Sequence, residues 1–187
     1  MIMNRMKIFL GRNRMRPTWE EYFISVLDAV SLRGSCDRGR CGAVLVRDNR
    51  ILATGYVGAP SGLPTCEDEG HQLVKRFEMP YTKQSERGFF DLNNSFMIDT
   101  KSFSTHCLKT VHCEVNAILN CARNGISTLG STLYVGMTPC VTCGMAIIQA
   151  GIVEVVAKNQ YQKGSESIEM FNKVGIKYKT LNESLLY

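Results

Sequence analysis

No stretch of this 187-residue chain is apolar over the roughly 20 residues that a bilayer-spanning helix needs, so a helical membrane protein is excluded. No secretory signal precedes its eight cysteines, which argues against a disulfide-stapled framework. They read instead as thiols kept reduced in the cytoplasm and spaced for metal ligation. There is no internal repeat and no low-complexity tract. Acid is missing from residues 1–17, where Arg5, Lys7, Arg12, Arg14 and Arg16 supply the whole net charge of +5. The other 170 residues balance at 17 basic and 17 acidic, so the body of the protein carries no electrostatic footprint for a nucleic-acid polymer. Residues 1–17 are expected to be a disordered leader, with a basic arm, a transit-like segment or a start at Met15 as the other readings. Residues 18–187 have the size and apolar content of one domain.

Along that domain the punctuation is regular. Thr18-Trp19-Glu20-Glu21 reads as a capping box, with Tyr22, Phe23, Val26, Leu27 and Val30 at helical spacing behind it. Apolar runs at 43–46 and 51–56 flank Asp48-Asn49 and predict a hairpin. A glycine-rich loop follows at 55–62. Residues 72–105 show no period and are expected to form an insertion, with Phe89, Phe90, Phe96 and Phe103 scattered through it. Then come a helix at 112–124, a strand at 132–135, a helix at 140–150, a strand at 152–157, a helix at 165–174 and a last strand from Ile176. The alternation predicts an α/β fold: a three-layer α/β/α sandwich about a mixed five-stranded sheet.

Two short segments carry the chemistry. His112-Cys113-Glu114 and Pro139-Cys140-Val141-Thr142-Cys143 together match H-x-E…P-C-x-x-C, the signature of zinc nucleobase deaminases. His112, Cys140 and Cys143 offer one imidazole and two thiolates. Three protein ligands leave a tetrahedral position open, the pattern of a catalytic rather than a structural zinc. Zinc there lowers the pKa of a bound water toward neutrality, and Glu114, two residues past a ligand, is free to carry protons. A C-x-x-C pair alone reads equally well as a structural knuckle or a redox pair. A redox pair has no use for His112-x-Glu114, and a knuckle completes four protein ligands.

On these residues the chain resembles the deoxycytidylate deaminases of the cytidine deaminase superfamily. The likeness extends over Thr18 to Phe23, Cys36, Gly42-Ala43-Val44, Thr54-Gly55-Tyr56, Cys66-Glu67-Asp68-Glu69-Gly70, the block from His106 to Ile118, and Thr138 to Cys143. It implies hydrolysis of dCMP to dUMP and ammonia, with zinc on His112, Cys140 and Cys143 and Glu114 as proton shuttle. It implies a second, structural zinc on Cys36, Cys66 and His106, with His71 or Cys107 as a fourth ligand. Arg38 would meet the phosphate, and Tyr161 and the Cys113 backbone the base. Tyr56, Gly58 and Arg123 would serve effector binding or subunit contact. The likeness also implies a homo-oligomer, up to a hexamer, activated by dCTP and inhibited by dTTP with Mg2+. Two positions depart from the pattern: Val57 stands where the family has a sugar-binding Asn, and Cys113 where it has Ala. A substrate of dCTP or a modified cytosine nucleotide, a polynucleotide substrate, and a non-catalytic nucleotide sensor are the competing readings.

Overall fold

The computed structural model describes residues 16–77, 103–161 and 164–186. The expected leader, apart from Arg16 and Pro17, and Phe89, Phe90 and Phe96 of the expected insertion lie outside these residues. Helix α1, Trp19–Ser31, begins at the capping box that the sequence predicts. Thr18 Oγ1 accepts the Glu21 backbone N–H at 3.2 Å, and the Glu21 carboxylate accepts the Thr18 N–H at 2.8 Å. Each end of the box satisfies an amide that the first turn would otherwise leave bare.

Strands β1 (Gly42–Arg47) and β2 (Arg50–Tyr56) form the predicted hairpin, with Asp48 and Asn49 both at positive φ in its two-residue turn. Strand β1 also pairs antiparallel with β5 (Thr132–Met137). Strands β5, β6 (Glu154–Tyr161) and β7 (Lys177–Leu186) run parallel, so the sheet is mixed, in the order β2-β1-β5-β6-β7. Strand alternation divides the core into two layers. Val44, Val46, Tyr134 and Val156 pack on Phe23 and Leu27 of α1. Ala43, Leu45, Leu133, Val135, Val155 and Ala157 face the other way. There they meet α3 (Cys113–Arg123), α4 (Val141–Gln149) and α5 (Ser165–Val174) through residues such as Ala117, Ile147 and Phe171. The expected α/β/α sandwich with its five-stranded sheet is what the chain forms.

A short helix precedes the expected insertion at 72–105, and strands form at both edges of that insertion, where the sequence shows no period. A one-turn helix α2, Cys66–Glu69, has its own capping box between Thr65 and Asp68. Strands β3 (Leu73–Phe77) and β4 (Phe103–Cys107) then pair antiparallel, with Leu73 opposite Cys107. Neither five-residue segment alternates cleanly, and a ladder between partners some 30 residues apart leaves little local signal.

Helix α3 is clamped to the edge of the sheet. Asn116 Nδ2 donates to the Tyr56 carbonyl at 3.0 Å, and Asn120 Nδ2 to that of Thr54 at 3.1 Å. Between these carbonyls lies Gly55, where a Cβ would stand 2.3 Å from the Cys113 carbonyl oxygen and 2.4 Å from the Ala117 nitrogen. Both obstacles are helix backbone and cannot rotate aside. Gly55→Ala is therefore expected to cost about 3 kcal/mol, at the upper end of overpacking, or to prevent folding. A urea midpoint equal to that of the parent chain would contradict this packing.

Candidate active site

Helices α3 and α4 begin beside each other. His112 is the N-cap of α3 and Cys140 the N-cap of α4, and neither side chain makes a capping hydrogen bond. Both point to a common center with Cys143, one turn into α4. His112 Nδ1 lies 3.6 Å from Cys140 Sγ and 3.4 Å from Cys143 Sγ. A tetrahedral zinc with bonds of about 2.3 Å to sulfur and 2.0–2.1 Å to nitrogen separates S from N by about 3.6 Å. The donor set therefore fits zinc in chemistry and in spacing. The center opens on a cavity of about 240 Å³ lined by His106, Thr110, Val111, His112, Val115 and Thr142, among others.

The protons at this center are arranged for metal. Cys143 donates to the Cys140 sulfur, and this bond, with another to His112 and against the cost of burial, brings the Cys140 thiol down to about 4. The Cys140 hydrogen bond in turn lifts His112 to about 9, against burial and with help from the Glu114 charge. Cys143 is pushed up as the donor to Cys140 and by burial. Burial also raises Glu114, although the His112 charge opposes it. Without metal the center is thus a Cys140 thiolate–imidazolium pair beside a protonated Cys143. Zinc requires the second thiolate and a neutral imidazole, so its binding releases protons.

A second donor group lies nearby. Cys36, Cys66, His71 and Cys107 bring one ligand atom each within 4.8 Å of one another. Cys66 and Cys107 sulfurs are 3.6 Å apart, and Cys36 Sγ is 3.8 Å from His71 Nδ1. Tetrahedral zinc asks for about 3.6–3.8 Å. His71 Nε2 meets Asp37 Oδ1 at 2.8 Å, the carboxylate–imidazole arrangement that orients a metal-binding histidine. Burial, reinforced by bonds to Cys107 and Cys36, pushes Cys66 up to about 12. Burial also works against the Cys107 thiolate, but hydrogen bonds from His71 and from the Lys109 and Gln72 amides bring it down to about 7. One expectation is corrected here: His106 is not in this group, and Cys107 and His71 complete it. Neighbors on a strand point to opposite faces: His106 and Cys107 both border the cavity beside His112, but only Cys107 brings its donor atom into the group.

The other expected residues are spread out. Arg38 donates to the Thr105 carbonyl at 3.1 Å, next to cavity-lining His106. The Tyr161 amide donates to Thr138 Oγ1 at 3.1 Å, behind the turn that presents Cys140. Gly58 pairs with Val111 and tethers the glycine-rich loop to the residue before His112. Tyr56 is exposed at the end of β2, and Arg123 is exposed in the last turn of α3, the far end from His112. Val57 is buried among Cys36, Cys66, Cys41 and Cys107, filling the wall of the second donor group. Cys113 does not intrude on the cavity. Its sulfur lies 3.2 Å from Glu114 Oε2 and 3.3 Å from Cys41 Sγ. Sequence reasoning missed Cys41, Asp37, Asn116 and Asn120. The i,i+4 asparagine pair was visible as one helix face, but its carbonyl partners on β2 were not.

The center's protonation has a chemical readout. A thiol brought down to about 4 is a thiolate at pH 6, and ordinary or raised thiols are not. In chelator-stripped protein, iodoacetamide at pH 6 is expected to alkylate Cys140 well ahead of Cys143 and Cys66, as read by peptide mass mapping. Equal labeling of the three would contradict the assignment.

Residues 17–159 match the family described as the cytidine and deoxycytidylate deaminase zinc-binding region. The chain is 34% identical over 161 residues to ComE operon protein 2 of Bacillus subtilis, covering 86% of this chain and 70% of that one. It is 36% identical over 141 residues to the deoxycytidylate deaminase of a Mycobacterium phage, covering 75% and 94%. The chain spans a little under half the length of two yeast deoxycytidylate deaminases, 46% and 44%. Among solved structures, the dCMP deaminase of a cyanophage in complex with dCMP and dUMP superposes with a TM-score of 0.64 at 25% identity, covering 90% of this chain and all of that one. With its three-donor center, its buried glutamate and the match over residues 17–159, this chain belongs to the cytidine and deoxycytidylate deaminase family.

Proposed function

We propose that this protein hydrolyzes dCMP to dUMP and ammonia, supplying dUMP for thymidylate synthesis. The observation that carries the reading is Glu114, a fully buried carboxylate on the first turn of α3, set against a three-donor center at the floor of a cavity. The likeness to deoxycytidylate deaminases, one of them holding dCMP and dUMP, supports the choice of substrate.

Zinc held by His112, Cys140 and Cys143 would supply Lewis acidity that makes water acidic near neutral pH. Glu114 takes the proton of the attacking water and delivers it to N3 of the cytosine ring. The C4–O bond forms, and C4 becomes tetrahedral. Glu114 then takes the remaining proton from the new C4 hydroxyl and passes it to the amino group, the C4–N bond breaks as C4=O forms, and ammonia leaves. Burial favors this relay, because it raises Glu114 toward working pH and keeps bulk water from short-circuiting the transfer. Arg38, beside the cavity wall, is assigned to the phosphate, and Tyr161 to the base. The planar guanidinium suits phosphate oxygens.

The second donor group is read as a structural zinc site on Cys36, Cys66, His71 and Cys107. It ties the loop after α1, helix α2 and the end of β4 together. The free thiols of both groups suit a reducing cytoplasm.

Two measurements test these assignments. Glu114→Gln is expected to lower kcat on dCMP by about 10²–10⁴-fold, the usual scale for a positioned acid–base group, with bound zinc unchanged. Turnover within twofold of the parent would remove Glu114 from the mechanism. The full chain is expected to hold about two zinc ions, by the two donor sets. Cys66→Ser should lose one and lower the melting temperature, whereas Cys140→Ser should lose the other and abolish turnover. A Cys66→Ser protein with unchanged zinc content would contradict the second site.

A further inference from the structure

Cys41 and Cys113 have no place in either donor group, yet their sulfurs are 3.3 Å apart. Cys113 is buried, and Cys41, just before β1, is the half-buried member of the pair. The pair ends on Glu114, whose Oε2 lies 3.2 Å from Cys113 Sγ. Room for Cys41 is built into the sheet, since a Cβ at Gly136 on β5 would sit 2.8 Å from its sulfur. Two thiols in van der Waals contact, one on a half-buried residue and one touching the proposed proton shuttle, form a modification site.

We propose that Cys41 and Cys113 are an oxidizable pair whose disulfide disables Glu114, with a peroxide as the oxidant. This rests on the reading of Glu114 given above. Hydrogen peroxide converts the thiol of Cys41, the less buried of the two, to a sulfenic acid and releases one water. The Cys113 sulfur attacks that sulfur, the S–O bond breaks, and a second water leaves with the Cys113 proton as S–S forms. The two sulfurs give up two electrons, and the peroxide oxygens take them. A small dithiol reverses the step by thiol–disulfide exchange. Bond formation draws the sulfurs about 1 Å closer and removes the S–H that Cys113 donates to Oε2. Displacement of about 1 Å at a reacting group is enough to cost about 10²-fold in rate.

The test uses zinc-loaded full chain treated with hydrogen peroxide, then mapped by mass spectrometry for a Cys41–Cys113 linked peptide. Zinc release is followed with a chromogenic chelator, and dCMP turnover is measured in parallel. The expected result is the linked peptide, a tenfold or greater loss of kcat with zinc retained, and recovery with dithiothreitol. Cys41→Ser and Cys41→Ala should keep parental turnover and resist the loss. No linked peptide, loss of activity in step with zinc release, or equal inactivation of the Cys41 variants would overturn the proposal. The linked peptide is read without turnover. Failure of the reduced protein to deaminate dCMP would therefore fall on the proposed activity, leaving the thiol pair to be judged by the peptide.

Discussion

Everything at the site depends on two helices starting within hydrogen-bonding distance of each other. His112 and Cys140 occupy N-cap positions where Ser, Thr, Asp or Asn would satisfy free amides, and they make no such bond. Forgoing a cap costs each helix about 1 kcal/mol. The side chains are released to meet at 3.6 Å instead. The arrangement holds because α3 is pinned to β2 through Asn116, Asn120 and Gly55, while α4 leaves the carboxyl end of β5 through the Thr138-Pro139 turn. Thr138 anchors that turn, bonding Tyr178 Oη at 2.9 Å and accepting the Tyr161 amide. Crevices at the carboxyl ends of parallel strands are where α/β sheets habitually bind ligands.

Positive helix ends and a buried carboxylate pull the local electrostatics in opposite directions, and the site uses both. Helix starts favor the Cys140 thiolate. Burial disfavors the charge on Glu114 and on Cys143. The result is a center that exchanges protons for a divalent cation, next to a carboxyl group poised to move protons one at a time. Cys113 adds a sulfur contact to that carboxyl group where related enzymes are expected to have only a methyl group. The cost of burying a second thiol is met by Cys41, which gives its sulfur a partner.

Legibility in the sequence followed the distance over which information had to travel. The main donor set was readable because each half is a local segment at a helix start, with Glu114 fixed by a spacing of two. The sheet was readable because β1, β5 and β6 are apolar runs bounded by turns, and α1 announced itself by its capping box. The second donor group was half readable. Its cysteines stood out, but choosing Cys107 over His106 requires the phase of β4, which only its ladder with β3 supplies. The Cys41–Cys113 contact joins residues 72 apart and had no sequence signal. Val57 was legible as a departure from the family pattern. Its place against Cys36 and Cys66 needed coordinates.

Val57 bears directly on the central claim. Val57 packs against Cys36 and Cys66, and its side chain offers a sugar no hydrogen bond where the family resemblance implies an asparagine. The most direct measurement is therefore a competition among dCMP, CMP, dCTP, deoxycytidine and 5-methyl-dCMP, deaminated by the zinc-loaded full chain and compared by kcat/KM. The account predicts that dCMP has the highest value. A higher kcat/KM for any other member, or no turnover of any of them with zinc bound, would contradict it.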